Sequence, residues 1–244
     1  MSSRRKIILK ELGLLPLWRI KSENLQNTIV SADSSRQEDQ CEKRPASDIS
    51  NNTRRQQILH MDWDQLKAEV AHCTACALSQ SRTQAVFGIG DENADWLCVG
   101  EGPGAREDVT GEPFVGPAGK LLDNMLSAIG LQRGNNVYIA NIVKCRPPNN
   151  RNPEVHETMQ CEPFLARQIE LIKPKIIIAL GKIAAQNLVK CDDKISNLRG
   201  TLHHYSGIPL IVTYHPAYLL RALPDKAKAW EDLLFAKDIM RSIK

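Results

Sequence analysis

K-I-I-I-A-L-G, residues 175–181, decides the fold. Its five central residues are apolar, three of them β-branched, and a lysine and a glycine bound the run. A stretch this short and this uniformly apolar reads as a strand buried on both faces. Working outward, residues 95–101 (D-W-L-C-V-G-E), 137–143 and 209–215 have the same character. Between these runs lie amphipathic stretches, and helices are predicted over 118–129, 153–172, 182–189 and 226–243. Regular alternation of this kind predicts an α/β fold, a three-layer α/β/α sandwich on a four-stranded parallel sheet.

In such sheets the ligand crevice lies beyond the carboxyl ends of the strands. Three segments fall there: G-E-G-P-G at 100–104, Asn141 at the end of the second strand, and H-P-A-Y-L-L-R at 215–221. They are expected to converge on one site.

A chain of 244 residues is long enough for one domain with a real core plus an appendage. Residues 61–244 read as the domain. Residues 21–60 are rich in Ser, Asn, Gln and charged residues and lack apolar periodicity, so they read as a disordered linker. Residues 1–20 form a short basic peptide. Residues 1–60 hold eleven of the 32 Lys and Arg and seven of the 28 Asp and Glu, so the whole +4 excess resides there and the domain is balanced. A balanced domain that binds nucleic acid must use a local patch and a shaped pocket. No apolar run approaches the roughly 20 residues that span a bilayer, and Lys10 and Glu11 cut short any secretory segment. A soluble, monomeric cytoplasmic protein is expected.

In a reducing compartment the seven cysteines do not read as a disulfide framework. Cys73 and Cys76 form a Cys-x2-Cys pair, and Cys145 and Cys161 follow in the domain. Four such thiolates can hold zinc or an iron-sulfur cluster. Cys41, Cys98 and Cys191 read as ordinary free thiols.

The turn at 100–104 lets backbone N–H groups approach a ligand closely. It is no P-loop, since Gly-Lys-Ser/Thr is absent. Residues 111–122, G-E-P-F-V-G-P-A-G-K-L-L, set Phe114 on a glycine-flanked loop, where it is either a core anchor or a platform for a flat base.

Together, G-E-G-P-G, G-E-P-F-V-G-P-A-G-K-L-L, N-I-V-K-C-R-P-P at 141–148, the four cysteines and H-P-A-Y-L-L-R resemble the family 4, iron-sulfur uracil-DNA glycosylases. The resemblance runs from about residue 63 to residue 244. It implies a 4Fe-4S cluster on Cys73, Cys76, Cys145 and Cys161, and removal of uracil from DNA to leave an abasic site. It implies that Phe114 stacks on the flipped uracil, that Asn141 reads its O4 and N3–H edge, and that His215 faces charge growing at O2. Glu101 and the Gly102 backbone would line the pocket. Where the best-known members carry a water-positioning Asp, this chain has Gly102, so Glu107, then Glu101, then Asp108 are the candidates for that task. Tyr218, Leu219 or Leu220 would wedge into the duplex, and Arg221, Arg146 and Arg151 would meet phosphate. An adduct-forming variant of the fold carries a basic insertion with a histidine that N-N-R-N-P-E-V-H, ending at His156, does not match.

Residues 4–21 resemble the start of the psi subunit of the bacterial clamp loader, which docks on the chi subunit. That likeness implies a tether to replication, with the enzyme at work on the nucleoid. Two further readings compete with excision: a non-catalytic uracil- or DNA-binding accessory protein, and a zinc site in an unrelated nucleotide-binding α/β protein. A histidine facing leaving-group charge has no use in a mere binder.

Overall fold

The computed structural model describes residues 49–243. In chain order the elements are α1 (Ile49–Leu59), α2 (Trp63–His72), α3 (Leu78–Ser81), β1 (Ile89–Gly90), β2 (Trp96–Gly100), α4 (Ala105–Thr110), α5 (Pro117–Ala128) and β3 (Val137–Asn141). Then follow α6 (Val155–Ile172), β4 (Ile176–Leu180), α7 (Lys182–Val189), α8 (Ile195–Leu198), β5 (Leu202–Tyr205), β6 (Ile208–Thr213), α9 (Pro216–Leu219) and α10 (Lys226–Ile243). Single 3-10 turns occupy Pro148–Asn150 and Leu223–Asp225.

The sheet order is β1-β3-β2-β4-β6-β5. The four predicted strands form its parallel centre, β3-β2-β4-β6, with Gly100 level with Asn141 and Cys98 with both Ile139 and Ile178. Two short antiparallel edge strands, β1 and β5, extend it on either side. The sequence reading lacked them because neither has an apolar run: β1 is a pair of residues, and L-H-H-Y of β5 is alternately exposed and half-buried. Short edges of this kind limit strand-to-strand association.

Side-chain alternation along the central strands divides the interior in two. Leu97, Val99, Tyr138, Ala140, Ile177, Ala179, Leu210 and Val212 face α1, α2, α6, α7 and α8. Trp96, Cys98, Val137, Ile139, Ile176, Ile178 and Ile211 face α5 and α10. That arrangement is the expected three-layer sandwich. Because the connection from β2 runs to β3 on one side and the chain then crosses to β4 on the other, the strand order reverses between β2 and β4. In open sheets such a reversal is where ligands bind, beyond the carboxyl ends of the strands.

The predicted linker needs one correction. Its last part is α1, an ordered helix docked on α6. Ile58 is buried, the Arg54 guanidinium lies 5.0 Å from the Phe164 ring centroid, and Arg55 pairs with Glu162. Charged and cation–π anchors hold this helix in place of an apolar stripe, so no periodicity betrayed it. Asp62 then caps α2 through a reciprocal box with Gln65. The rest of the linker and the N-terminal peptide lie outside the described residues. No described helix is long and apolar enough to cross a membrane.

Candidate active site

Gly100 ends β2 opposite Asn141, and the two positions fix the floor of the crevice. A Cβ on Gly100 would lie 2.5 Å from Asn141 Oδ1 and 2.6 Å from Phe114 Cζ. Only a bare backbone there lets the Asn141 amide and the Phe114 ring both come this close to the end of β2. Asn141 is 2% exposed, and its Oδ1 has no hydrogen-bond partner. Buried polar atoms are almost always paired, so an open acceptor at the base of a crevice marks a place for a donor.

Phe114 is buried with φ of 57°, a left-handed conformation that costs a non-glycine residue about 1–3 kcal/mol and persists only where the surroundings enforce it. Its ring centroid lies 5.5 Å from that of His215, at 30° between planes. His215 N-caps α9: its Nδ1 accepts the backbone N–H of Ala217 at 3.1 Å, which leaves Nε2 as the protonated nitrogen of the neutral ring. Burial pushes the imidazole down to about 4, with Arg221 adding to the shift and Glu107 opposing it. At neutral pH the ring is therefore an uncharged N–H donor. Gly181, at the end of β4 with φ of 92°, makes room for it, since a Cβ there would lie 2.8 Å from His215 Cβ.

The carboxylates divide by task. Glu107 Oε1 accepts the backbone N–H groups of Val115 (3.0 Å) and Gly116 (3.1 Å), so it grips the loop that carries Phe114. Glu101 is half-buried, makes no side-chain hydrogen bond among the described residues, and burial pushes its carboxyl up. Asp108 takes a different part: it is buried and accepts the N–H and hydroxyl of Thr83, which ties α4 to the segment before β1.

All four predicted cysteine ligands line one recess with Val70, Ser79, Lys144 and Phe164. Among the described residues no three His, Cys, Asp or Glu side chains converge on a single ion position. The four thiols surround the recess they line. Donors point at the sulfurs: Arg82 Nη1 at Cys145 (2.8 Å), the Lys144 backbone N–H at Cys161 (3.2 Å), Arg54 Nη2 at Cys73 (3.5 Å) and the Leu78 backbone N–H at Cys76. Burial pushes the Cys76 and Cys145 thiols up, and that of Cys161 to about 12, whereas the donors and the nearby Arg82 and Lys144 favour the thiolate. Cys98 is buried in the sheet and Cys191 is half-buried beside Asp193. Cys41 is outside the described residues.

Residues 87–234 match the model of the uracil DNA glycosylase superfamily. The chain belongs to this superfamily. Among its relatives, a type-4 uracil-DNA glycosylase of Archaeoglobus fulgidus is 44% identical over 165 residues, covering 64% of this chain and 82% of that protein. Another of that name, from Pyrobaculum aerophilum, is 42% identical over 183 residues, 71% of this chain and 92% of that protein. A DNA polymerase of Bacillus phage SP01 is 31% identical over 144 residues, 59% of this chain but 16% of the polymerase.

In this superfamily member the predicted DNA-facing residues separate sharply. Leu219 is buried against Tyr214 and Ala229, so it cannot wedge into a duplex. Tyr218 stacks on Tyr214 at 5.1 Å and bonds through its hydroxyl to Asp225. Leu220, 43% exposed, and Leu223, 60% exposed, are surface aliphatic side chains of this segment. Arg221 is exposed. Arg146 is half-buried and donates to Asn150, whereas Arg151 gives both terminal nitrogens to Glu157 (2.8 and 2.7 Å), which makes it a brace for its own loop. His156 is exposed beside Glu154. Sequence reasoning missed the spacing roles of Gly100 and Gly181 and the loop contacts of Arg133, which no motif marks.

Proposed function

We propose that this chain is a uracil-DNA glycosylase of the type-4 kind, which hydrolyses the N-glycosidic bond of deoxyuridine in DNA and leaves an abasic site for base excision repair. One observation carries the reading: the buried, unpartnered Asn141 Oδ1 beside Phe114 and a neutral His215. Uracil N3–H can donate to that oxygen and uracil O4 can accept from the amide, whereas cytosine has no N3–H to offer. Phe114 stacks on the flipped base, an interaction worth about 1–3 kcal/mol.

The reaction is dissociative. The C1′–N1 bond breaks with its electron pair passing to uracil, and His215 Nε2–H stabilises the charge arriving at O2. Water attacks the oxocarbenium-like C1′. Glu101, desolvated and without a side-chain partner, suits the role of holding this water and taking its proton, and the Gly102 backbone lines the same pocket. The sequence ranking is thereby reversed, because Glu107 is engaged by the Phe114 loop. Leu220 fills the gap in the duplex, and Arg221 and Arg146 meet phosphate.

Cys73, Cys76, Cys145 and Cys161 would hold a 4Fe-4S cluster, as the shared recess and the donors aimed at the sulfurs suit a bulky anionic group. Bound there, the cluster supplies cross-links between the segment before β1, the loop after β3 and α6, and no redox step. We read the enzyme as a monomer whose residues 4–21 tether it to the clamp-loader chi subunit. Similarity to part of a phage protein named DNA polymerase supports a place near replication. Calorimetric titration of the full chain with chi tests that tether, and absence of binding removes it.

Incubation with uracil-containing single- and double-stranded oligonucleotides, followed by alkaline cleavage, tests the activity. Strand breaks at uracil positions are expected. Binding without breaks would favour the accessory-protein reading.

A further inference from the structure

Phe114 sits in a strained conformation at the tip of a loop, and two groups of opposite charge hold the peptide units around it. On one side Glu107 Oε1 takes the N–H groups of Val115 and Gly116. On the other, Arg133 Nη1 donates to Pro113 O at 2.9 Å and Nη2 to Phe114 O at 3.0 Å. Arg133 Nε in turn donates to Asp123 Oδ1 on α5 at 2.8 Å, which fixes the plane of the guanidinium. N–H groups meet an anion and carbonyls meet a cation, so the three peptide units from Pro113 to Gly116 are held from both sides.

Arg133 lies in the connection between α5 and β3 and makes none of its hydrogen bonds to the side chains that meet the base. We propose that Arg133 is a positioning residue for uracil excision: it sets the angle of the Phe114 ring by clamping the Pro113 and Phe114 carbonyls. The proposal rests on the reading that Phe114 stacks on the flipped base. A planar fork is required, since one ammonium on a flexible stem cannot bond two carbonyls and a carboxylate in one plane. Without the clamp the left-handed backbone at Phe114 relaxes and the platform tilts. Displacements of about 1 Å in a positioning group can cost up to roughly 100-fold in rate.

The test is a double-mutant cycle read by single-turnover excision on a uracil-containing single-stranded oligonucleotide. Arg133→Ala is expected to slow excision about 10-fold, and Arg133→Lys to recover little of it. In a Phe114→Ala background the same Arg133→Ala change should cost less than about 2-fold, because its effect passes through the ring. Full additivity of the two changes, or wild-type rates in Arg133→Lys, would overturn the proposal. Wild-type excision by Phe114→Ala alone would instead overturn the stacking reading. If Arg133→Ala does not fold, Asp123→Asn, which loosens the guanidinium while keeping both carbonyl bonds, enters the same cycle with the same criterion.

Discussion

His215 Nδ1 accepts the backbone N–H of Ala217, 3.1 Å away, so α9 itself fixes which nitrogen of the ring carries the proton. The proton on Nε2 is then directed by backbone geometry and needs no carboxylate partner.

Removal of that donor should affect chemistry more than binding. His215→Ala is expected to lower the single-turnover rate by about 100-fold or more while weakening uracil-DNA affinity far less, since the contact strengthens as charge reaches O2. Equal losses in rate and affinity would contradict this role.

The depressed pKa of His215 also has a stability consequence. The folded ring protonates near 4, and an unfolded one near about 6.5. Between these values the unfolded chain binds more protons, so this group's contribution is fully present above about pH 6.5 and is lost as the pH falls toward 4. His215→Gln should therefore lose less stability than wild type between about pH 7 and pH 4.5 in urea melts. Parallel pH profiles would show that the ring is not held neutral by the fold.

Asn141→Asp should relax base discrimination. A protonated or ionised carboxyl can meet cytosine's edge, so measurable cytosine excision is expected alongside slower uracil excision. Intact uracil activity with none on cytosine would count against this reading of the edge.

Leu219 and Leu220 are neighbours with opposite fates. Leu219→Ala should destabilise the fold by about 2–5 kcal/mol, seen as a lower Tm. Leu220→Ala should leave the Tm unchanged and slow excision on duplex DNA more than on single strands, where no gap needs filling. Equal effects on both substrates would exclude a wedge.

The cysteine recess predicts a coloured protein. Visible absorption with about four irons per chain is expected, and Cys161→Ser should abolish both and lower the Tm. A colourless protein with stoichiometric zinc would replace the cluster by a zinc site.

Much of this was legible in the sequence because it rests on uniformly apolar strands and on segments that follow them. The run at 175–181 became β4, and Asn141 and His215 lie at strand ends where the fold places ligands. What escaped depends on contacts that local pattern cannot encode. α1 is held by Arg54 and Arg55 on α6, more than 100 residues away in the chain. Whether Leu219 or Leu220 is buried depends on how α9 sits on Tyr214 and Ala229. The tasks of Glu107 and Asp108, adjacent carboxylates, were set by which backbone groups each one reaches.

Gly100 gives the pocket an unusual economy of parts. Since Asn141 Oδ1 and the Phe114 ring both close on the space where its side chain would be, the depth of the site belongs to the main chain of β2. Gly100→Ala would fill the floor and push the Asn141 amide and the Phe114 ring out of place. Altering which base is accepted therefore requires changes on the walls, because the floor admits no variation.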